Sequence, residues 1–161
     1  MSNYVFNIYT DGSFSSNESD RTYGGFYMDG LGVEMLAYTT RPNWISSRNV
    51  GGELLAVVLA LKVVESFREQ NPDANITCNF FYDYEGVGKW VKGMWKCNKD
   101  LTRGYKNFVN NVIRKNNIND TWTSVHGHAG VYGNERADRL VTRSDRRESA
   151  VNMDDIVKEI A

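Results

Sequence analysis

Residues 53–67 read ELLAVVLALKVVESF, and this stretch decides the fold class. It is too long for a strand and is packed with apolar residues, so it predicts a largely buried helix. Asn49 is a plausible N-cap, and the sequence NPDAN at 71–75 predicts the end of the helix. A buried helix has to pack against other elements, so the segments on either side of it define the architecture.

Segments rich in β-forming residues lie on both sides of this helix. The predicted strands are 3–10, 21–29, 32–40, 76–83 and 121–125. Further helices are predicted at about 84–92, 99–115 and 133–146. Asp29-Gly30 is a hairpin turn signal, so the first three strands are expected to be antiparallel. The order βββαβααβα predicts an α/β fold with a mixed five-stranded sheet, three antiparallel strands plus two parallel ones, flanked by helices.

The chain is expected to form one domain, because no repeat, low-complexity stretch or linker interrupts it before the charged sequence SDRRES. We assign residues 1–147 to this domain and 148–161 to a C-terminal tail. Ile156, Val157 and Ile160 could form one face of a short helix in this tail, and we expect that helix to dock on the body of the protein.

Composition excludes several classes of protein. The 161 residues are enough for a real core, since a chain of this size buries roughly 70% of its unfolded surface. The chain has no run of about 18 apolar residues, which a membrane-spanning helix would need. The start, MSNYVFNIYTDG, lacks the basic and apolar regions of a secretory signal, so a cytoplasmic protein is expected. Cys78 and Cys97 are expected to be reduced thiols, and no residue spacing resembles a zinc site.

Four carboxylates lie at unusual positions in the predicted elements, two at the ends of strands and two on helix faces that are expected to point at the core. Asp11 and Asp83 end the first and fourth predicted strands. If these strands are parallel neighbours, both acids lie at the carboxyl ends, where ligands bind in mixed sheets. Glu53 and Asp138 lie on helix faces that point toward the core. Each acid also has an ordinary interpretation, as a turn residue in the first pair and as a first-turn acid favoured by the helix dipole in the second.

Acids gathered in a partly dry site repel one another, so their pKa values rise unless cations lie between them. Oxygen ligands suit hard cations such as Mg²⁺ or Mn²⁺. Four acids can hold two such ions about 3.5–4 Å apart, the arrangement that clamps the attacking and leaving oxygens in phosphodiester cleavage.

Positive charge is concentrated in one part of a chain whose net charge is −1. Residues 86–116 contain eight basic residues and one acid, Asp100. The basic residues are Lys89, Lys92, Lys96, Lys99, Arg103, Lys106, Arg114 and Lys115. Three aromatic residues lie among them: Trp90, Trp95 and Tyr105. A solvated helix face is the ordinary interpretation, but a polyanionic partner explains the run better. A second basic group is diluted by acids: Arg136, Arg139, Arg143, Arg146 and Arg147 among Glu135, Asp138, Asp145 and Glu148.

Four short segments resemble the ribonuclease HI family, the small bacterial and phage-type enzymes that cut RNA in RNA–DNA hybrids. The segments are IYTDGS (8–13), NVGGELLAVVLAL (49–61), FYDYEGVGKWV (81–91) and VHGHAGVYGNERADRL (125–140). They follow the family's order and cover residues 4 to about 143. The resemblance implies a ribonuclease H-like fold. It also implies an endoribonuclease that leaves 5′-phosphate and 3′-hydroxyl ends and whose acidic quartet binds two Mg²⁺ ions, with Mn²⁺ as a substitute: Asp11, Glu53, Asp83 and Asp138.

The resemblance also implies roles for residues outside the quartet. His128 stands in the loop before the last helix, where the family places a histidine that assists proton transfer or product departure. His126 is given no catalytic role. Groups near the first acid are expected to read 2′-hydroxyls, an aromatic residue to pack against the DNA strand and lysines to contact phosphates. The expected substrate-binding residues are Gly12, Ser13, Asn49, Trp90, Lys89 and Lys92.

Two departures from the family pattern are visible. FSSNESDRT (14–22) replaces the usual glycine- and proline-rich turn, and the basic protrusion is reduced to KGMWKCNKDLTRG (92–104), which predicts weaker hybrid binding. Two rival functions stay open: a binding module that does not cut, and another nuclease such as a resolvase, a transposase core or the ribonuclease H domain of a reverse transcriptase. We expect a monomer that needs no protein partner.

Overall fold

The computed structural model describes residues 2–125 and 131–161, with the side chains of all of these except 144 and 145. The strands are β1 (Asn3–Ser13), β2 (Thr22–Asp29), β3 (Val33–Thr39), β4 (Asn75–Tyr82), β5 (Ile118–Ser124) and β6 (Val151–Asn152). The α-helices are α1 (Pro42–Ile45), α2 (Arg48–Gln70), α3 (Gly86–Val91), α4 (Asp100–Lys115), α5 (Tyr132–Thr142) and α6 (Asp154–Val157). Short 3-10 helices cover Ser16–Glu18 and Ser144–Ser149.

The strands form one mixed sheet in the order β5-β4-β1-β2-β3-β6. β1, β2 and β3 are antiparallel, whereas β4 and β5 run parallel to β1 and to each other. This confirms the predicted α/β fold and the hairpin at Asp29-Gly30, where Gly30 and Gly32 both have positive φ.

The predicted number of five strands is wrong, because β6 adds a sixth. β6 pairs in parallel with β3 through Ala37–Val151 and Tyr38–Asn152. Two residues are too few to show the alternation by which a strand is recognised in a sequence. The short strand forms because the outer edge of β3 otherwise presents unpaired N–H and C=O groups.

The long helix α2 confirms the prediction of a buried helix, since Gly51 through Leu61 and Val64 are all buried. It begins earlier than predicted, and the N-cap prediction is wrong: Ser47 occupies the N-cap position and Asn49 lies inside the first turn. The small helix α1, with the fully buried Trp44, precedes it and was not predicted.

Two adjacent glycines of β2 show that α2 and α5 lie on opposite faces of the sheet. A Cβ on Gly24 would lie 2.3 Å from the carbonyl oxygen of Gly52 in α2. A Cβ on Gly25 would lie 3.1 Å from Cγ1 of Val141 in α5. Successive residues of a strand point to opposite faces, so the two helices sandwich β1 and β2 between them.

The C-terminal segment packs on the same core as the rest of the chain. Val157 is fully buried, and Ile156 and Ile160 pack beside it. Asp154 accepts hydrogen bonds from the hydroxyl of Thr39 (2.6 Å), the N–H of Thr40 (2.8 Å) and the hydroxyl of Thr40. The division into a domain (1–147) and a tail (148–161) stays a prediction. Among the described residues, none of the helices is both long enough and apolar enough to pass through a membrane.

Candidate active site

Two of the four acids meet because β1 and β4 are parallel neighbours. Their register pairs Tyr9 with Phe81, and the two rings stack with centroids 4.9 Å apart. Asp11 and Asp83 each follow two residues later, so they lie side by side at the carboxyl ends of these strands. Asp11 is inside β1 rather than at its end, since the strand continues to Ser13.

Glu53 reaches the same place because α2 approaches the sheet without intervening side chains. A Cβ on Gly12 would lie 2.3 Å from the backbone nitrogen of Glu53 and 2.6 Å from the carbonyl oxygen of Asn49. The Gly24–Gly52 contact brings the next strand equally close. Any larger residue at Gly12 would push the helix away from the strand and withdraw Glu53 from Asp11.

The three acids form a tight group. One carboxylate oxygen from each of Asp11, Glu53 and Asp83 lies within 4.8 Å of the other two. Asp11 is 6% exposed and Glu53 4% exposed, while Asp83 is half-buried. Within the described part of the chain, Oε2 of Glu53 is buried and has no hydrogen-bond partner.

The environment of Glu53 opposes its ionisation. Burial raises its pKa well above the usual range, and the charge of Asp11, a hydrogen bond with Asp11 and the charge of Asp83 act in the same direction. The N–H of Gly12 opposes this shift of the Glu53 pKa but does not reverse it. A buried carboxylate oxygen without a donor, beside two more carboxylates, is the arrangement that a bound cation would complete. The donor set is oxygen alone, which fits a hard divalent ion.

Asp138 is not one of the three mutually close acids. It is half-buried on α5, on the same helix face as Asn134 and Val141, which are 5% and 1% exposed. Val141 packs on Gly25, and Gly25 pairs directly with Asp11 across the strands. The predicted core-facing direction of this helix face is therefore confirmed, and it lies over the part of β1 and β2 that carries Asp11.

Asn134 is a polar residue that the sequence reasoning did not single out for a function. It is buried, and its side-chain nitrogen has no hydrogen-bond partner among the described residues. The signal available in the sequence was its position one turn before Asp138 on the same face. His126 and His128 lie outside the described residues.

A cleft of about 270 Å³ opens beside the start of α2. Its lining residues are Ser47, Val50, Leu54, Tyr84, Trp90, Lys96, Asn98, Lys99, Leu101 and Thr102. Trp90 forms a cluster of tilted and edge-on rings with Tyr84 and Trp95. Val50 and Leu54, which line the cleft, lie within one turn of Glu53 in α2.

The other predicted substrate-binding residues are distributed unevenly. Asn49 is exposed at the start of α2, and Gly12 and Ser13 are half-buried at the end of β1. Lys89 pairs with Glu85 at 3.3 Å and lies over the ring of Trp95, and Lys92 is exposed. Neither lysine lines the cleft, whereas Lys96 and Lys99 do. All four lysines belong to the same basic stretch of the sequence, and only the folded path of residues 92–99 shows which of them line the cleft.

Comparison with known proteins places these observations in a family. The family model described as RNase H matches residues 3–145. The chain is 32% identical over 149 residues to a ribonuclease H of Hyphomonas neptunium, covering 86% of this chain and 91% of that protein. It is 26% identical over 147 residues to a ribonuclease H of Pseudomonas fluorescens, covering 84% and 89%.

Solved structures share the fold. RNase H1 from the archaeon Halobacterium salinarum superposes with a TM-score of 0.67 at 21% identity, over 91% of this chain and 99% of that one. LC11-RNase H1 in complex with an RNA/DNA hybrid superposes with a TM-score of 0.66 at 18% identity, over 84% and 92%. The family match over nearly the whole chain, together with the acidic strand ends, establishes that the chain belongs to the RNase H family of nucleases.

Proposed function

We propose that this protein is an endoribonuclease that hydrolyses the RNA strand of RNA–DNA hybrids and leaves 5′-phosphate and 3′-hydroxyl ends. The observation that carries the proposal is the buried carboxylate of Glu53, held against Asp11 and Asp83 with one oxygen unsatisfied. Such a group is costly unless it binds cations, and a protein that only bound nucleic acid would gain nothing from acids that repel phosphate.

Asp11, Glu53, Asp83 and Asp138 would hold two Mg²⁺ ions, with Mn²⁺ as a substitute. Ions held by these residues would supply a water nucleophile at neutral pH and would offset the negative charge on the leaving oxygen. The residues of the chain do the positioning. Asp11 and Asp83 are fixed by the strand register, and Glu53 is fixed by the glycine-mediated contact of α2 with β1. His128 is proposed to carry a proton during turnover or product departure.

The substrate would lie across the start of α2. Asn49 is exposed there and its carbonyl group lies against Gly12, so polar groups for reading 2′-hydroxyls in a minor groove are available next to the acids. The cleft with Trp90, Lys96 and Lys99 offers an aromatic surface and positive charge for the other strand. Lys89 and Lys92 stay proposed phosphate contacts at its margin. LC11-RNase H1, whose fold the chain shares, has been crystallised with an RNA/DNA hybrid.

The test compares one sequence as RNA–DNA hybrid, duplex RNA and duplex DNA, end-labelled, with Mg²⁺ and with a chelator. We expect internal cuts in the RNA strand of the hybrid alone, and none with the chelator. Mapping the product ends checks the position of the scissile bond.

The outcomes separate the rival functions. Equal cutting of duplex RNA or duplex DNA would reject the hybrid substrate and favour another nuclease on this fold. Tight hybrid binding without cleavage, and without metal binding by calorimetry, would reject the enzyme and favour a binding module.

A further inference from the structure

The second basic group of the sequence, which the proposed active site does not use, folds into a pocket. A concavity of about 130 Å³ lies between α5, the 3-10 helix that follows it and β3. Among the described side chains its lining consists of four arginines, one acid and one apolar residue: Arg136, Arg139, Arg143, Arg146, Glu34 and Leu140. Of the acids that lie among these arginines in the sequence, Glu135, Asp138 and Glu148 do not line the pocket.

Glu34 holds two of the arginines in place. Its carboxylate accepts hydrogen bonds from Arg136, the shorter at 2.6 Å, and pairs with Arg146 at 3.6 Å. One carboxylate shared by Arg136 and Arg146 cannot neutralise both of their guanidinium groups. Arg139 is exposed and makes no side-chain hydrogen bond or ion pair within the described part of the chain. Guanidinium groups held as fixed forks around a small concavity match the oxygens of a phosphate.

The pocket adjoins an exposed aromatic ring. Tyr132 is 57% exposed. Arg136 donates a hydrogen bond to its hydroxyl at 2.9 Å and lies 5.7 Å from its ring centre. The ring also meets Tyr27 edge-on, with centroids 5.8 Å apart. These contacts fix an aromatic surface beside the cationic pocket, a combination that holds bases and backbone of single-stranded nucleic acid.

This surface is separate from the acidic group. Arg136 and Arg139 share one face of α5, and Arg143 follows directly after the helix ends at Thr142. The face of α5 with Asn134, Asp138 and Val141 is a different one, directed at the sheet. A ligand in the pocket therefore need not occupy the place where the hybrid would be cut.

We propose that the arginine pocket and Tyr132 form a second nucleic-acid site, which binds a single strand with a phosphate among the arginines and a base on the tyrosine ring. A single strand fits better than a duplex, because the pocket has room for about one phosphate group and only an unpaired base can stack on a tyrosine. This site goes beyond the cleavage reaction and does not depend on it.

The test measures binding of a fluorescent oligothymidylate by anisotropy, with a chelator present so that no cleavage or metal binding contributes. The double variant Arg139→Glu/Arg146→Glu should bind at least about tenfold more weakly, and the slope of log affinity against log salt should fall by about 0.7 for each phosphate that the variant no longer binds. The matched control Lys62→Glu/Lys158→Glu changes the same charge on exposed residues of other elements and should bind nearly as the parent does.

A second pair of variants examines the ring. Tyr132→Ala should weaken binding about five-fold or more, because a base stacked on an aromatic side chain contributes ~1–3 kcal/mol, and Tyr132→Phe should retain most of the affinity. If Arg139→Glu/Arg146→Glu does not fold by circular dichroism, Arg139→Gln/Arg146→Gln takes its place.

Three results would overturn the proposal. One is equal weakening by the Lys62/Lys158 control, which would mean general electrostatic attraction. Another is weaker oligothymidylate binding by Lys99→Glu in the cleft with unchanged binding by Arg139→Glu/Arg146→Glu. The last is an acidic peptide, tested as labelled oligoglutamate, that binds as tightly as the oligonucleotide, which would mean that the pocket recognises charge alone.

Discussion

Glu53 is a buried carboxylate and Asp154 a half-buried one, and both lie beside the same sheet. Their surroundings shift their pKa values in opposite directions. Asp154 is surrounded by donors from Thr39 and Thr40. Partial burial opposes its ionisation, but these hydrogen bonds and the charge of Arg41 lower its pKa. Glu53 faces two other acids, and its pKa is raised. The carboxylate that stabilises the fold accepts hydrogen bonds from neighbouring donors, whereas the carboxylate proposed to bind a metal ion has two other acids beside it.

The largest expected difference between the two is in catalysis. Glu53→Gln should lower hybrid cleavage in Mg²⁺ by at least about 100-fold, because loss of a direct metal ligand costs more than the ~10–100-fold typical of residues behind the ligands. Asp154→Asn should leave the rate per folded molecule unchanged. Initial rates on one hybrid, with the folded fraction determined separately, give the measurement. Full activity in Glu53→Gln would remove this residue from the site.

A second difference is in stability. Asp154→Asn should lower the free energy of unfolding by about 1–3 kcal/mol, because the donors on Thr39 and Thr40 lose a charged acceptor. Asp155→Asn is the matched control, because the side chain of Asp155 is almost fully exposed. This substitution should change the free energy of unfolding by less than about 0.5 kcal/mol. Without metal, Glu53→Gln should be at least as stable as the parent. Urea unfolding curves decide, and equal effects at 154 and 155 would contradict the role of the Thr39–Thr40 contact.

The smallest expected difference is in how the stability of the metal-free protein depends on pH, because Asp154 and Glu53 contribute to it with opposite signs. The Asp154 pKa is lowered by folding, so its stabilisation is present above the unfolded value of about 3.9 and is lost as pH falls through the folded pKa. The Glu53 pKa is raised by folding, so the folded state binds the extra proton and stability declines as pH rises from about 4.3 toward the folded pKa. Melting temperatures of the parent, Asp154→Asn and Glu53→Gln across this range measure both slopes. If melting temperature varied with pH in the same way for all three proteins, the opposite roles of Asp154 and Glu53 would be contradicted.

The sequence predicts the acidic group well because each acid stands next to a strong local pattern. Asp11 and Asp83 follow apolar strand runs, and Glu53 begins an apolar helix, so their positions follow once β1 and β4 are taken as parallel neighbours. The short distance between Glu53 and the two aspartates could not be predicted in the same way. Gly51 and Gly52 suggest a poor start for a helix, and only the packed structure shows that they let α2 lie directly against α1 and β2.

Other features escape prediction because they are short or depend on distant residues. α1 and β6 are too small to carry a periodic signal. The arginine pocket is hidden in the sequence by interspersed acids, and it needs Glu34, which lies about a hundred residues before Arg136. The lysines facing the cleft depend on the path of residues 92–99, for which the sequence offers no pattern.

The two-residue pairing of β6 with β3 has a consequence for how copies of this chain behave toward one another. It covers part of the outer margin of the sheet with the chain's own backbone. If residues 151–161 detach, the margin of β3 becomes a template on which a strand from another molecule can add. Loosening the contact of Asp154 with Thr39 and Thr40 should therefore favour association between copies of the chain through this edge.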